Sequence, residues 1–176
     1  VYGNQKEIFN EHTKCEPVSY YGLSKLNLEN AVLFFHNTKG LEYLIIRPSN
    51  PYGYGQNLFG KQGLIAVIFG KILKKETLQI WGDGSAIKDY IYIDDFVYYV
   101  TNLINQNKAW NQIFNVGSGK GESVKDVLLA LKKNHIDLPK IDFITEKSSD
   151  VKRMILDCSK LQELIPYETT SLEDGI

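Results

Sequence analysis

Leu41-Glu42-Tyr43-Leu44-Ile45-Ile46-Arg47-Pro48 runs directly into Ser49-Asn50-Pro51-Tyr52-Gly53-Tyr54-Gly55-Gln56, and that junction decides how the chain is read. The first half, Leu41 to Ile46, is a short apolar run that fits a strand buried on both faces, as in a parallel sheet. It ends at Arg47-Pro48. The second half is dense in Asn, Pro and Gly, the residues that build turns. Ligands of open α/β sheets bind just outside the carboxyl ends of the strands, so this loop is where a site is expected.

Working outward, residues 5–19 are polar and carry Pro17, which reads as a loop. Ser19 then opens a helical pattern to about Thr38, with Leu23, Leu26, Leu28, Ala31, Val32, Leu33 and Phe35 spaced for broad burial and Gly40 as a stop. Downstream, a helix is expected from about Gly63 to Lys74, then a strand at Leu78–Trp81 closed by Gly82-Asp83-Gly84-Ser85. Lys88 to Ile93 reads as another strand, with Asp94-Asp95 capping a helix to about Asn107. Ile113 to Gly117 is a strand ending in Gly-Ser-Gly, followed by a helix at Glu122–Asn134, a strand at Ile141–Ile144 and a short helix at Cys158–Leu164. Strands alternate with helices throughout, so the fold class is α/β with a largely parallel sheet.

Composition narrows the function classes. The chain has 176 residues, 43% hydrophobic and 23% charged, which suits one globular domain or parts of two. A net charge of -1 with no Lys/Arg run argues against nucleic acid or a membrane surface as partner. Lys71, Lys74 and Lys75 read as a solvated helix face. Cys15 and Cys158 stand far apart and His12, His36 and His135 are scattered, so neither a disulfide framework nor a metal site is indicated, and a reducing cytoplasm is the default. No apolar run is long enough to span a bilayer. Val1-Tyr2-Gly3 reads like the end of a buried strand, which suggests a piece of something longer.

Tyr21-Gly22-Leu23-Ser24-Lys25 places a phenol and an ammonium one helical turn apart, on one face. Free tyrosine titrates near ~10 and is a poor base at neutral pH, but a nearby positive charge favours the phenolate. Such a pair can take a proton from a hydroxyl; by itself the spacing also fits an ordinary helix start. Tyr20 has Ser24 four residues on rather than a lysine, and reads as a packing residue. Gly117-Ser118-Gly119-Lys120-Gly121 lacks phosphate-loop spacing and reads as a strand-to-helix turn.

These motifs occur in a telling order: Val1-Tyr2-Gly3, Tyr21-x-x-x-Lys25, Arg47-Pro48-Ser49-Asn50-Pro51-Tyr52-Gly53, Trp81-Gly82-Asp83-Gly84, Lys88-Asp89-Tyr90-Ile91-Tyr92-Ile93-Asp94-Asp95, Phe114-Asn115-Val116-Gly117 and Asp157-x-Ser159-Lys160. In that order they resemble the extended short-chain dehydrogenase/reductase family, within it the NAD-dependent sugar-nucleotide epimerases and dehydratases, and most of all the UDP-glucose 4-epimerase branch. The resemblance runs over the whole chain. It implies the carboxyl-terminal part of a Rossmann-like parallel sheet plus a small α/β substrate-binding domain. Residues 1–53 and 90–118 would belong to the NAD-binding domain, and residues 54–89 and 119–176 to the sugar-nucleotide domain. The family's Gly-rich turn and its catalytic Ser or Thr would precede Val1.

The resemblance also implies roles. Tyr21 would be the acid/base at the sugar hydroxyl, and Lys25 would hold the nicotinamide ribose and keep the phenol acidic. Pro48 and Ser49 would line the nicotinamide edge of NAD. Asn50 would contact the substrate phosphates, although Asn50-Pro51 equally starts a turn, and Trp81 would lie at the nucleotide base, although it equally suits a core. Lys88 and Lys147 stand where the family commonly has arginines that clamp the diphosphate, Arg153 lies near Lys147, and Asp150 matches an acid near the nucleotide. The implied reaction is epimerisation at C4 of a UDP-hexose through a 4-keto intermediate; a 4,6-dehydratase, a decarboxylase or a non-catalytic UDP-sugar-binding fragment are the alternatives. The chain alone is expected to be inactive, and a homodimer through the Tyr21 helix, using Leu26, Ala31, Phe34 and Phe35, is left open.

Overall fold

The computed structural model describes residues 1–3, 8–145 and 153–176. Helix α1 spans Tyr20–Lys39. Ser19, in extended backbone, caps it by accepting from the Gly22 N–H at 3.0 Å. Gly40 closes it in the left-handed region, its N–H bonding the His36 carbonyl at 2.9 Å.

The helix lies where expected, but its burial does not follow the sequence pattern. Gly22 is its only buried residue, while Leu23, Leu28, Phe34 and Phe35 are exposed. Tyr20, read as a packing residue, is 94% exposed. The physical reason is local: among the described residues no layer lies over this side of the helix.

Strand β1 (Leu44–Pro48) pairs in parallel with β6 (Gln112–Val116), Leu44 opposite Gln112 through Pro48 opposite Val116. The expected strand at 41–46 thus starts later and takes in Arg47-Pro48. It is not buried on both faces either: its apolar residues are half-buried and Arg47 is the one buried member. Strands β2 (Asn50–Tyr52) and β5 (Tyr90–Tyr92) form a second parallel pair, and β3 (Leu78–Trp81) and β8 (Ile141–Ile144) a third. Strand β4 (Ile87–Lys88) lies between β7 (Glu122–Ser123), antiparallel, and β9 (Arg153–Met154), parallel.

Two apolar clusters hold these pieces. One joins Ile91, Phe114 and Val116 to Tyr99 and Leu103 of α3 (Ile93–Ile104) and to Leu161 of α5 (Ser159–Leu164). The other packs Ile65 and Ile68 of α2 (Leu64–Lys74) and Val127 and Leu131 of α4 (Val124–Lys133) around Leu78 and Ile80. Leu172–Gly175 forms a last short helix, α6.

Two aspartates depart from expectation. The continuous strand expected from Lys88 to Ile93 breaks at Asp89, because β4 and β5 join different partners. The fully buried Asp89 carboxylate accepts from the Ser118 N–H (2.9 Å), the Ser118 hydroxyl (2.9 Å), the Gly119 N–H (3.1 Å) and the Leu156 N–H (3.3 Å). Burial pushes its pKa up, while these donors pull against that shift. Nor do Asp94-Asp95 cap α3, whose N-cap position is Tyr92. Asp95 is buried in the first turn and accepts from the Tyr167 hydroxyl (2.8 Å), the Thr170 N–H (2.8 Å) and the Thr170 hydroxyl (3.0 Å), tying down the carboxyl-terminal segment.

Candidate active site

A cavity of about 350 Å³ opens at the ends of β2 and β3, lined by Asn50, Leu64, Trp81, Lys88 and Tyr90 among others. Its residues come from six elements between Asn50 and Val124. The Asp89 knot positions one wall: the Asp89 carbonyl accepts from the Asn50 N–H at 3.0 Å and from the Asn50 Nδ2 at 2.7 Å. An amide NH2 carries a second hydrogen, so Asn50 retains a donor for an anionic ligand. Trp81 is 50% exposed, which removes the reading of a core tryptophan and leaves an aromatic face at the cavity. Lys88 is half-buried and contributes the cationic end. Burial raises the Tyr90 phenol to about 12 and keeps it neutral.

Ser49 links this cavity to the end of β1. Its N–H bonds the Val116 carbonyl at 2.9 Å. Its hydroxyl is buried without a well-formed hydrogen bond, although its dipole still helps to lower the Asp89 pKa. Pro48, beside it, is exposed. Tyr21 and Lys25 sit together on the first turns of α1, Lys25 Nζ lying 5.3 Å from the Tyr21 ring centroid, within cation–π range. Tyr21 is 74% exposed. The fold therefore collects the expected residues into two groups, Tyr21 with Lys25 and Asn50 with Trp81 and Lys88, with Pro48-Ser49 on the chain between them. Lys147 and Asp150 lie outside the described residues, and Arg153 is exposed at the start of β9.

Sequence reasoning missed a buried polar network beneath α1. Arg47 forks onto Glu29 of α1, Nε to Oε1 at 3.0 Å and Nη2 to Oε2 at 2.6 Å, with side-chain exposures of only 8% and 12%. Its Nη1 donates to the Tyr2 hydroxyl at 2.8 Å and to the Glu11 carbonyl at 3.3 Å. The Tyr2 hydroxyl passes its own hydrogen to Asn115 Oδ1 at 2.6 Å, and Asn115 Nδ2 donates to the Phe9 carbonyl at 2.8 Å. Burial alone would lower the Arg47 pKa, but the hydrogen bonds it donates to Glu29 and to the Tyr2 hydroxyl outweigh that and raise it. Burial also raises Tyr2, to about 12. The signal available in the sequence was a charged residue at the end of an apolar strand together with the recurrence Tyr21, Lys25, Glu29 at four-residue spacing.

Comparison with known proteins gives the family. The NAD dependent epimerase/dehydratase family matches residues 1–117. This chain belongs to that family. Over 178 residues it is 32% identical to a putative UDP-glucose 4-epimerase of Methanocaldococcus jannaschii, covering 100% of this chain and 57% of that relative. A dTDP-4-dehydro-6-deoxyglucose reductase of Escherichia coli is also 32% identical, over 100% of this chain and 56% of its own length. The crystal structure of UDP-glucose 4-epimerase from Thermotoga maritima with UDP-glucose superimposes with a TM-score of 0.87 at 34% identity, over 99% of this chain and 57% of that one. The chain thus spans little more than half the length of these relatives. The α/β reading holds. Among the described residues no helix is long and apolar enough to cross a membrane.

The family's cofactor, NAD, fits what this chain presents. The buried Ser49 hydroxyl, which acts on the Asp89 carboxylate without a well-formed hydrogen bond, stands at the carboxyl end of a parallel strand, the position at which α/β sheets take ligands. Tyr21 and Lys25 are both exposed on the first turns of α1.

Proposed function

We propose that this chain is the substrate-holding and proton-transferring half of an NAD-dependent enzyme that epimerises a UDP-hexose at C4 through a 4-keto intermediate. The observation that supports it most is the convergence of Asn50, Trp81 and Lys88 on one cavity, since nothing local in the sequence requires it. A nucleoside diphosphate needs a π-face for its base and donors for its phosphates. Trp81 offers the first, Asn50 and Lys88 the second. Lys88 is a point charge rather than a fork, so it neutralises the diphosphate without fixing its orientation as an arginine would.

NAD, when bound, supplies the acceptor and donor of hydride. This chain's own work is to move a proton at the sugar O4, with Tyr21 as the acid/base and Lys25 beside it stabilising negative charge on the phenol oxygen. Holding the nucleotide firmly and the sugar loosely lets the 4-keto sugar turn over before reduction. Pro48 and Ser49 would flank the nicotinamide; Lys147, or Arg153 in its place, would complete the diphosphate contacts, and Asp150 would lie near the nucleotide.

The test is an assay of the enzyme containing both halves, with UDP-galactose and NAD. Interconversion with UDP-glucose is expected, and Tyr21→Phe should lower kcat by about 10²-fold or more. A 4-keto-6-deoxy product would make the enzyme a dehydratase instead. A Tyr21→Phe enzyme turning over at the wild-type rate would remove Tyr21 from the mechanism.

A further inference from the structure

We propose that Glu29 and Arg47 are positioning residues for the reaction: their buried fork sets the roll of α1 and thereby where Tyr21 and Lys25 stand relative to the end of β1. This rests on the role proposed above for Tyr21.

Among the described residues, the helix apart from Gly22 and Glu29 is at most half-buried, at Leu26, Val32, Leu33 and His36. Of its residues only Gly22 is buried, pressed so close that a β-carbon there would lie 3.1 Å from Pro17 Cβ and 3.3 Å from the Ser19 hydroxyl. That contact and the Ser19 cap pin the amino-terminal end. Glu29 pins the helix two turns further on, about 10 Å along its axis at 1.5 Å per residue. Two pins fix both direction and roll, and Tyr21, Lys25 and Glu29 follow one another at four-residue steps along that interval.

The nature of the second pin points to orientation rather than to stability. A buried ion pair gains little over an apolar pair of similar volume, because desolvation cancels most of the attraction. A bidentate arginine–carboxylate fork instead imposes a plane and a direction. Arg47 is itself held in place by the Tyr2 hydroxyl, by the Glu11 carbonyl and by the Tyr2 ring, whose centroid lies 4.8 Å from the guanidinium carbon. Tyr2 in turn is anchored on Asn115 of β6, the strand paired with β1. Glu29 is therefore tied to the sheet through an unbroken series of side chains, and its place is set by the strands rather than by packing of the helix. The leverage is large. A phenol oxygen stands about 8 Å from a helix axis, so a roll of about 10° moves it by about 1.4 Å, and displacements near 1 Å can cost about 10²-fold in rate.

The experiment compares Glu29→Gln and Arg47→Lys with Asp95→Asn in the enzyme joined to its NAD-binding half. Asp95 is a carboxylate buried more completely than Glu29, but its hydrogen bonds run to the carboxyl-terminal segment. We expect Glu29→Gln to lower kcat per folded molecule about tenfold or more, with KM for the sugar nucleotide within about twofold of wild type. Arg47→Lys, which keeps the charge and loses the fork, should follow the same pattern. Asp95→Asn should lower the melting temperature and leave kcat per folded molecule unchanged. Glu29→Gln and Arg47→Lys behaving like Asp95→Asn would overturn the proposal. Should Glu29→Gln fail to fold, Arg47→Lys and Tyr2→Phe carry the comparison. Should the wild type turn over no UDP-hexose, the proposed function fails by itself, and amide hydrogen exchange across residues 21–28 decides the rest. Faster exchange in Glu29→Gln but not in Asp95→Asn would support the pin, and equal exchange would overturn it.

Discussion

Helices α1 and α4 are both opened by a serine cap, yet they are held in opposite ways. Helix α4 is a self-sufficient amphipathic segment: Val127, Ala130 and Leu131 are buried on one face. Ser123 and Asp126 form a capping box, the Ser123 hydroxyl accepting from the Asp126 N–H at 3.1 Å and Asp126 Oδ2 accepting from the Ser123 N–H at 2.8 Å. Its last turn is tied to α6 by Lys133–Glu173 at 2.6 Å. Helix α1 is twice as long, fully buries only Gly22, and is tied to β1 by one charged fork. Among the described residues, the helix proposed to carry the chemistry is packed less than α4. Where a reacting group must stand within a fraction of an ångström, a directional tie serves better than a greasy face that tolerates sliding.

The sharpest way to break this contrast is by truncation. Leu131→Ala, at a fully buried position, should cost about 2–5 kcal/mol in chemical denaturation. Leu28→Ala, at a position 59% exposed, should stay within about 0.5 kcal/mol. Equal losses would mean that α1 packs as tightly as α4. Removing the caps by Ser123→Ala or Ser19→Ala should each cost about 1 kcal/mol, a smaller effect common to both helices. The smallest effect is in acid. Hydrogen bonds from Ser123 lower the Asp126 pKa, and hydrogen bonds from Ser159 do the same for Asp157. The folded state then binds fewer protons than the unfolded one, so this contribution is complete above the ordinary carboxylate range and fades as pH falls through the lowered values. Asp126→Asn should flatten the acid limb of a melting-temperature profile, and an unchanged limb would remove the capping box from the account.

Much of this was legible from residues alone, for identifiable reasons. The strand at Leu78–Trp81 and the helix at Leu64–Lys74 follow local periodicity and punctuation, and they emerged nearly residue for residue. The meeting of Asn50, Trp81 and Lys88 followed from the family resemblance. Burial was not legible in α1, because an apolar pattern states what a face prefers and not what the described structure supplies. Tyr20 failed for the same reason. Asp94-Asp95 misled because a carboxylate near a helix start resembles a cap, whereas Asp95 serves residues more than seventy positions away. The Glu29–Arg47 fork crosses from helix to strand, and no single window of sequence contains both partners together with Tyr2 and Asn115.

One consequence follows from the turn at Gly117–Gly119. Its amides converge on a negative charge as such turns do when they hold a phosphate, but the charge is the chain's own Asp89. The position is occupied by an internal ligand, and an outside anion would have to evict it. A β-carbon on Gly117 would lie 2.6 Å from Asp89 Oδ2, so a side chain at 117 requires the carboxylate to leave, and removing the carboxylate strands the amides it satisfies. Asp89 and Gly117 therefore constrain each other, and a change at either disturbs the same set of hydrogen bonds.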